Sequence, residues 1–211
     1  MANMSQLGSL PVSKEDFMLC IAAAVVASLG FMYDNYSVIL GSMLISPMGQ
    51  PIIYSVLAIL LNGGTGVQNG LISLIILTGM ILIVGFLMGQ LNQYYNYYQV
   101  PTEKMEQLTS DKFLKTNFMI GCFTGFFVAY AYVYKNIGVL HGFALVVSLL
   151  PPITNSGLYA SLAYSTSRND PENKELFEKY KKNSINSFKI AYANVFGVAI
   201  STLLGFWVFC R

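Results

Sequence analysis

Charge is what this sequence has least of. Asp, Glu, Lys and Arg make up 10% of its 211 residues and 55% are hydrophobic, whereas an ordinary soluble domain carries about 25% charge. That balance excludes a soluble fold and points to a bilayer as the solvent. A net charge of +2 gives nucleic acid no hold, and the cations sit in loops rather than along one face. Histidine is nearly absent: His141 stands alone near the end of an apolar run, where a satisfied or interfacial role is the simpler reading than a proton carrier. Cys20, Cys122 and Cys210 are isolated, with no spacing suited to a metal or a redox pair, and read as small buried side chains. The acids are missing from the one place where a membrane protein could use them as a relay. From Glu15 and Asp16 to Glu175 and Glu178, all lie in loops or at helix ends, which argues against a carboxylate proton path or a strong divalent-metal site. With no nucleophile elbow, phosphate-cradling loop or histidine metal motif either, neither an enzyme nor a cofactor is expected.

What is present is apolar sequence of spanning length. Six segments emerge, roughly 16–33, 36–61, 69–90, 117–135, 137–165 and 185–210, and about 20 residues suffice to cross the hydrocarbon. The N-terminal stretch lacks the basic start and small-residue cleavage site of a secretory signal, so the first segment is expected to stay in place as a helix. Tyr94, Tyr95, Tyr97 and Tyr98 read as an interfacial aromatic belt. Pro101 then opens an amphipathic piece with Met105, Leu108 and Phe113, expected to lie along the membrane surface. Asp170 and Pro171 read as the cap and first residue of a last helix that starts outside the bilayer. Asn62–Gly70 reads as a turn. Gly79, Gly85, Gly89, Gly121 and Gly125 read as sites of close helix packing.

Two stretches also read alike. Phe17–Leu61 and Phe118–Leu162 align without a gap, with Tyr33, Asn35, Gly41, Pro51, Ile52 and Ser55 meeting Tyr134, Asn136, Gly142, Pro152, Ile153 and Ser156. An internal duplication is the simplest explanation, and three helices between equivalent positions make it an inverted one, as in many secondary transporters. The expected fold is therefore an all-α, polytopic membrane bundle: one transmembrane domain over 1–211, six helices in a 3+3 inverted repeat. Repeat one covers about 16–90, repeat two about 117–210, and polar loops fill 91–116 and 166–184. Lys104, Lys112, Lys115, Arg168, Lys174, Lys179, Lys181, Lys182 and Lys189 fall on one side of this arrangement, against Lys14, Lys135 and Arg211 on the other. By the positive-inside rule the long loops are cytoplasmic and both termini lie opposite.

The second and fifth segments carry prolines near their middles: Pro47 and Pro51, then Pro151 and Pro152. A proline removes a backbone donor and clashes with the carbonyl four residues back, so both helices are expected to be broken at membrane depth. Ser46 and Gln50 flank the first break; Ser148, Thr154 and Asn155 flank the second. Each second half-helix would aim its N-terminal amides at the gap, favouring a small polar or anionic solute, while the carbonyl ends of the first halves leave a small cation open. Asn194 in the sixth segment either faces the same centre or ties helices together, the latter being the simpler role. Against this stands the plainer reading that such kinks are common and serve only packing. The candidate functions are thus transport or channelling of a small solute, and a structural role in a membrane assembly. The partners expected are the lipid bilayer and that solute, with a homo-oligomer left open.

Residues Gly41–Ile52 and Val147–Ile153 resemble the two signature segments, GAMLISPLMGPI and VSLVPPL, of the integral membrane family known as domain of unknown function 389. Gln50 here stands between the glycine and the second proline of the first motif, and Asn194-Val195 is similar to the family's asparagine in its last helix. The resemblance implies a helical membrane fold and no particular substrate.

Overall fold

The computed structural model describes residues 12–60, 64–134 and 149–209. Every regular element among them is a helix: α1 (Lys14–Met32), α2 (Tyr36–Ile45), α3 (Gly49–Leu60), α4 (Gly64–Tyr95), α5 (Glu103–Gln107), α6 (Asp111–Val133), α7 (Leu150–Asn169) and α8 (Lys174–Phe209). Four of them, α1, α4, α6 and α8, are long and apolar enough to cross a membrane. The described residues therefore form an all-helical protein with four candidate spans, fewer than the six segments of the sequence. One reason is that the second segment divides into two short helices of 10 and 12 residues. At about 1.5 Å per residue neither reaches across 30 Å of hydrocarbon. The other is that α7 is too polar, carrying Thr154, Asn155, Ser156 and Ser161 within its 20 residues. Residues 135–148, which include His141 and Ser148, lie outside the described residues.

Local signals place most helix ends. Ser13 and Asp16 form a capping box at the start of α1, with Ser13 Oγ accepting from the Asp16 amide at 3.0 Å and Asp16 Oδ2 from the Ser13 amide at 3.1 Å. Asp34, at a left-handed φ of 53°, turns the chain between α1 and α2. Asn35 Oδ1 then caps α2 by accepting from the amides of Ser37 and Val38. At the other polar turn Asp170 closes α7, and Asn173 is the cap of α8, its Oδ1 accepting from the Leu176 amide at 3.2 Å. The start of α8 at Lys174, well before the apolar run, agrees with expectation; the capping role assigned to Asp170 does not. A side chain at a cap must reach the third amide ahead, and the helix begins too late for Asp170.

Three seams of small residues hold the bundle. Along α6 and α8, a Cβ on Gly121 would stand 2.7 Å from the Asn194 carbonyl, one on Gly197 2.7 Å from the Phe118 carbonyl, and one on Gly205 2.7 Å from Ala129. Gly121 with Asn194, Gly125 with Val198 and Ala129 with Gly205 ascend together, so these helices run parallel. Along α4 and α7, Gly85 faces Thr154 and Gly157, and Gly89 faces Ser161, again in parallel order. Along α3 and α4, Gly66 meets Ala58 and Gly70 meets Ser55, in antiparallel order. The stretch Gly64–Gly70 is thus helix rather than the turn its glycines imply, because Gly66 and Gly70 serve close approach of α3 instead of chain reversal. A Cβ on Gly79 would meet nothing within 4 Å among the described residues, so the packing role read for Gly79 finds no partner there.

Both polar loops come to the same end of the molecule. Lys179 pairs with Glu106 at 3.6 Å, Asn186 Nδ2 donates to the Thr109 carbonyl at 3.3 Å and Ser187 Oγ to that of Leu108 at 3.2 Å. Tyr94 and Tyr97 are well exposed there, as an aromatic belt requires. The Tyr98 phenol hydrogen-bonds with Tyr33, the main reason its pKa lies above the usual tyrosine value. The piece after Pro101 is not a surface helix: α5 has five residues, and Met105 and Leu108 are buried against Phe31, Ile39, Leu158 and Tyr159. Its backbone is claimed by α7 and α8, which draws it inward.

Candidate functional site

The first proline pair interrupts its helix. α2 ends at Ile45 and α3 begins at Gly49, with Ser46 extended (φ −75°, ψ 127°) between them. Such a gap leaves the last carbonyls of α2 and the first amides of α3 without intrahelical partners; Ser46 Oγ accepts one local bond, from the Met48 amide at 3.4 Å. Pro51 is the third residue of α3, where its missing N–H costs the helix nothing. One turn on, Ser55 Oγ donates to the Pro51 carbonyl at 2.7 Å.

The second proline pair opens α7. Leu149 precedes the helix in an α-like conformation with no side-chain cap, and Pro151 and Pro152 occupy the second and third helical positions. Every residue from Leu150 to Tyr159 is buried. α7 is therefore a polar pillar enclosed by α1, α4 and α8, its hydroxyls and amides shielded from lipid.

Residues beside the two proline sites belong to one apolar cluster. Met48, 1% exposed, and Ile52 share one core cluster with Leu149, Leu150 and Ile153. Beside the first break a cavity of about 20 Å³ is lined by Asp16, Pro47, Pro51, Tyr54 and Ser73, room for about one water. The buried Tyr54 hydroxyl has no hydrogen-bond partner among the described residues. A much larger cavity, about 480 Å³, lies between α2 and α6 and is lined also by Pro151 and Pro152.

The polar candidates divide among different tasks. Asn155 Nδ2 donates to the Met105 carbonyl and to Ser187 Oγ, both at 2.9 Å, so it fastens α5 and α8 to α7. Its Oδ1 and the Thr154 Oγ1 are fully buried without partners among the described residues. Asn194 lies in the α6–α8 seam, its carbonyl and carboxamide oxygens against Gly121, and its carboxamide oxygen is buried without a partner among the described residues. Ser148 and the Gln50 side chain fall outside what is described. Sequence reasoning passed over Tyr54, Asp16 and Ser187, for which no motif gave a signal. It also passed over Gln90, which donates to Ser161 and Ser165 across the α4–α7 seam; the four-residue spacing of those serines was the available hint.

Comparison with known families matches residues 43–200 to DUF389, a domain of unknown function. Comparison with curated proteins and with solved structures returned no match.

Proposed function

Taking as premise that the chain belongs to the DUF389 family of domains of unknown function, we propose that it passes a small polar or anionic solute across the bilayer. The site lies where the α2–α3 interruption meets the start of α7. One observation carries this reading: a helix broken at residues 46–48 shares one buried cluster with the proline-led start of a second helix. Helix termini inside a bilayer present amides and carbonyls that only a ligand, water or protein can satisfy. The Thr154 and Tyr54 hydroxyls, buried and unpartnered among the described residues, lie on the helices that follow the two proline pairs. Met48, Leu149 and Leu150 then act as the plug of a shut passage.

The six-helix, 3+3 inverted arrangement belongs to this proposal. In it the third and fifth crossings run the same way, as do the fourth and sixth, and the parallel seams of α4 with α7 and α6 with α8 support that order. The cytoplasmic placement of both loops is likewise proposed, from their cation content.

The apolar cluster that Met48 shares with Leu149 and Leu150 favours a second reading, a purely structural membrane protein. Flux of small anions and neutral polar solutes in reconstituted vesicles separates the two. Transport predicts that Pro51→Ala with Pro152→Ala lowers flux at least tenfold, the effect of about 1.4 kcal/mol, and that Met48→Ala raises it. Flux at the level of empty vesicles for the parent and Met48→Ala alike, with folding intact by circular dichroism, leaves the structural reading.

A further inference from the structure

The 480 Å³ cavity between α2 and α6 is graded along its length. Tyr36, Lys104, Thr116 and Asn117 line the end near the polar loops, while Leu40, Met43, Leu44 and Ile120 line the part that leads inward. Pro151 and Pro152 line it as well. A polar mouth at the loop level above an apolar shaft has the polarity profile of one leaflet of a bilayer. Its volume is within the range of about 300–1,000 Å³ typical of small-molecule sites, whereas the cavity at the first break holds about one water. Lys104 is the one charged group among the described lining residues. The ion pairs among the described residues, Lys179 with Glu106 and Lys181 with Glu178, leave it out. The nearby Asp34 carboxylate is engaged by the Lys104 main-chain amide at 2.9 Å. Thr116 spends its hydroxyl hydrogen on the Lys112 carbonyl and Asn117 one of its two amide hydrogens on that of Phe113, so the ammonium is the charged donor left to meet an anion. Lys112 and Lys115 add positive charge on the first turns of α6, beside Asp111.

We infer that this cavity holds one acyl chain of an anionic phospholipid from the leaflet on the loop side, with the headgroup at Lys104. The chain lies along Leu40, Met43 and Ile120, and its end rests near the prolines that open α7. A juxtamembrane cation contributes about 1 kcal/mol toward an acidic headgroup, or about fivefold in retention. A free anion gains nothing from the apolar shaft, and a zwitterionic lipid gains little from Lys104.

Native mass spectrometry of the detergent-solubilised protein, mixed with dioleoyl phosphatidylglycerol or dioleoyl phosphatidylcholine, tests this directly. The expected result is about fivefold preferential retention of one phosphatidylglycerol, lost in Lys104→Gln and kept in Lys104→Arg. Met43→Trp, which fills the shaft, should remove the retained lipid while leaving the helical circular dichroism spectrum unchanged. Equal retention of both lipids, or a preference indifferent to both Lys104→Gln and Met43→Trp, overturns the inference. Should Met43→Trp misfold, Leu44→Trp supplies the same test from the adjacent position. The outcome is independent of solute flux, so failure here leaves the transport reading standing.

Discussion

Asn155 shows what a single buried amide does in a membrane fold. Its two donated bonds reach the backbone of α5 and a side chain of α8, so one residue joins three elements. Removing it deprives the buried Met105 carbonyl of this donor and leaves Ser187 Oγ only its bond to the Leu108 carbonyl, a cost of about 2 kcal/mol. Asn155→Ala should therefore lower the apparent Tm in detergent and expose the 103–110 segment to protease; an unchanged Tm with unchanged cleavage would contradict the assigned bonds. Residue types were the legible part of this site. Prolines at membrane depth announced a broken helix, and Ser46–Met48 carries it. Polar residues around Pro152 announced a polar centre, yet Asn155 turned out to be a fastener. A side chain's partners depend on which helix passes nearby, and spacing along one helix does not encode that.

At the scale of elements, the seams decide more than the helices themselves. α6 and α8 approach so closely that Gly121 and Asn194 leave no room for a Cβ. Overpacking there should cost about 1–3 kcal/mol, so Gly121→Leu is expected to lower the apparent Tm by several degrees or prevent expression. Gly79→Ala, with open space around it, should be neutral and gives the control; equal effects of both would argue against the seam. Glycines spaced by four along an apolar run were readable as packing sites at Gly85, Gly89, Gly121 and Gly125. The same residue type misled at Gly64–Gly70, where clustering mimics a loop, while Gly79 shares the composition but finds no partner among the described residues. Ser13 and Asn35 cap α1 and α2 in the structure without having been read as caps, and the cap of α8 escaped because Asp170, Asn173 and Pro171 offer rival signals within a few residues.

For the whole molecule, the meeting of the two polar loops through Lys179–Glu106 and Asn186–Thr109 fixes them to one face, whichever side of the membrane that is. Single cysteines at Tyr97→Cys and Asp170→Cys, in a background with Cys20, Cys122 and Cys210 replaced by serine, should react with a membrane-impermeant maleimide under the same conditions as one another. The cation distribution predicts labelling only after permeabilisation of cells. Labelling of one without the other would break the shared face, and labelling of both in intact cells would reverse the orientation.

The enclosure of α7 has a bearing on how the protein is made. A segment with Thr154, Asn155, Ser156 and Ser161 buried along it partitions poorly into hydrocarbon by itself. Much of its sheath is α8, which follows it in the chain. Stable insertion of α7 during synthesis is therefore expected to depend on α8 as well as on α4, which precedes it in the chain. Truncation before Lys174 would then leave the pillar outside.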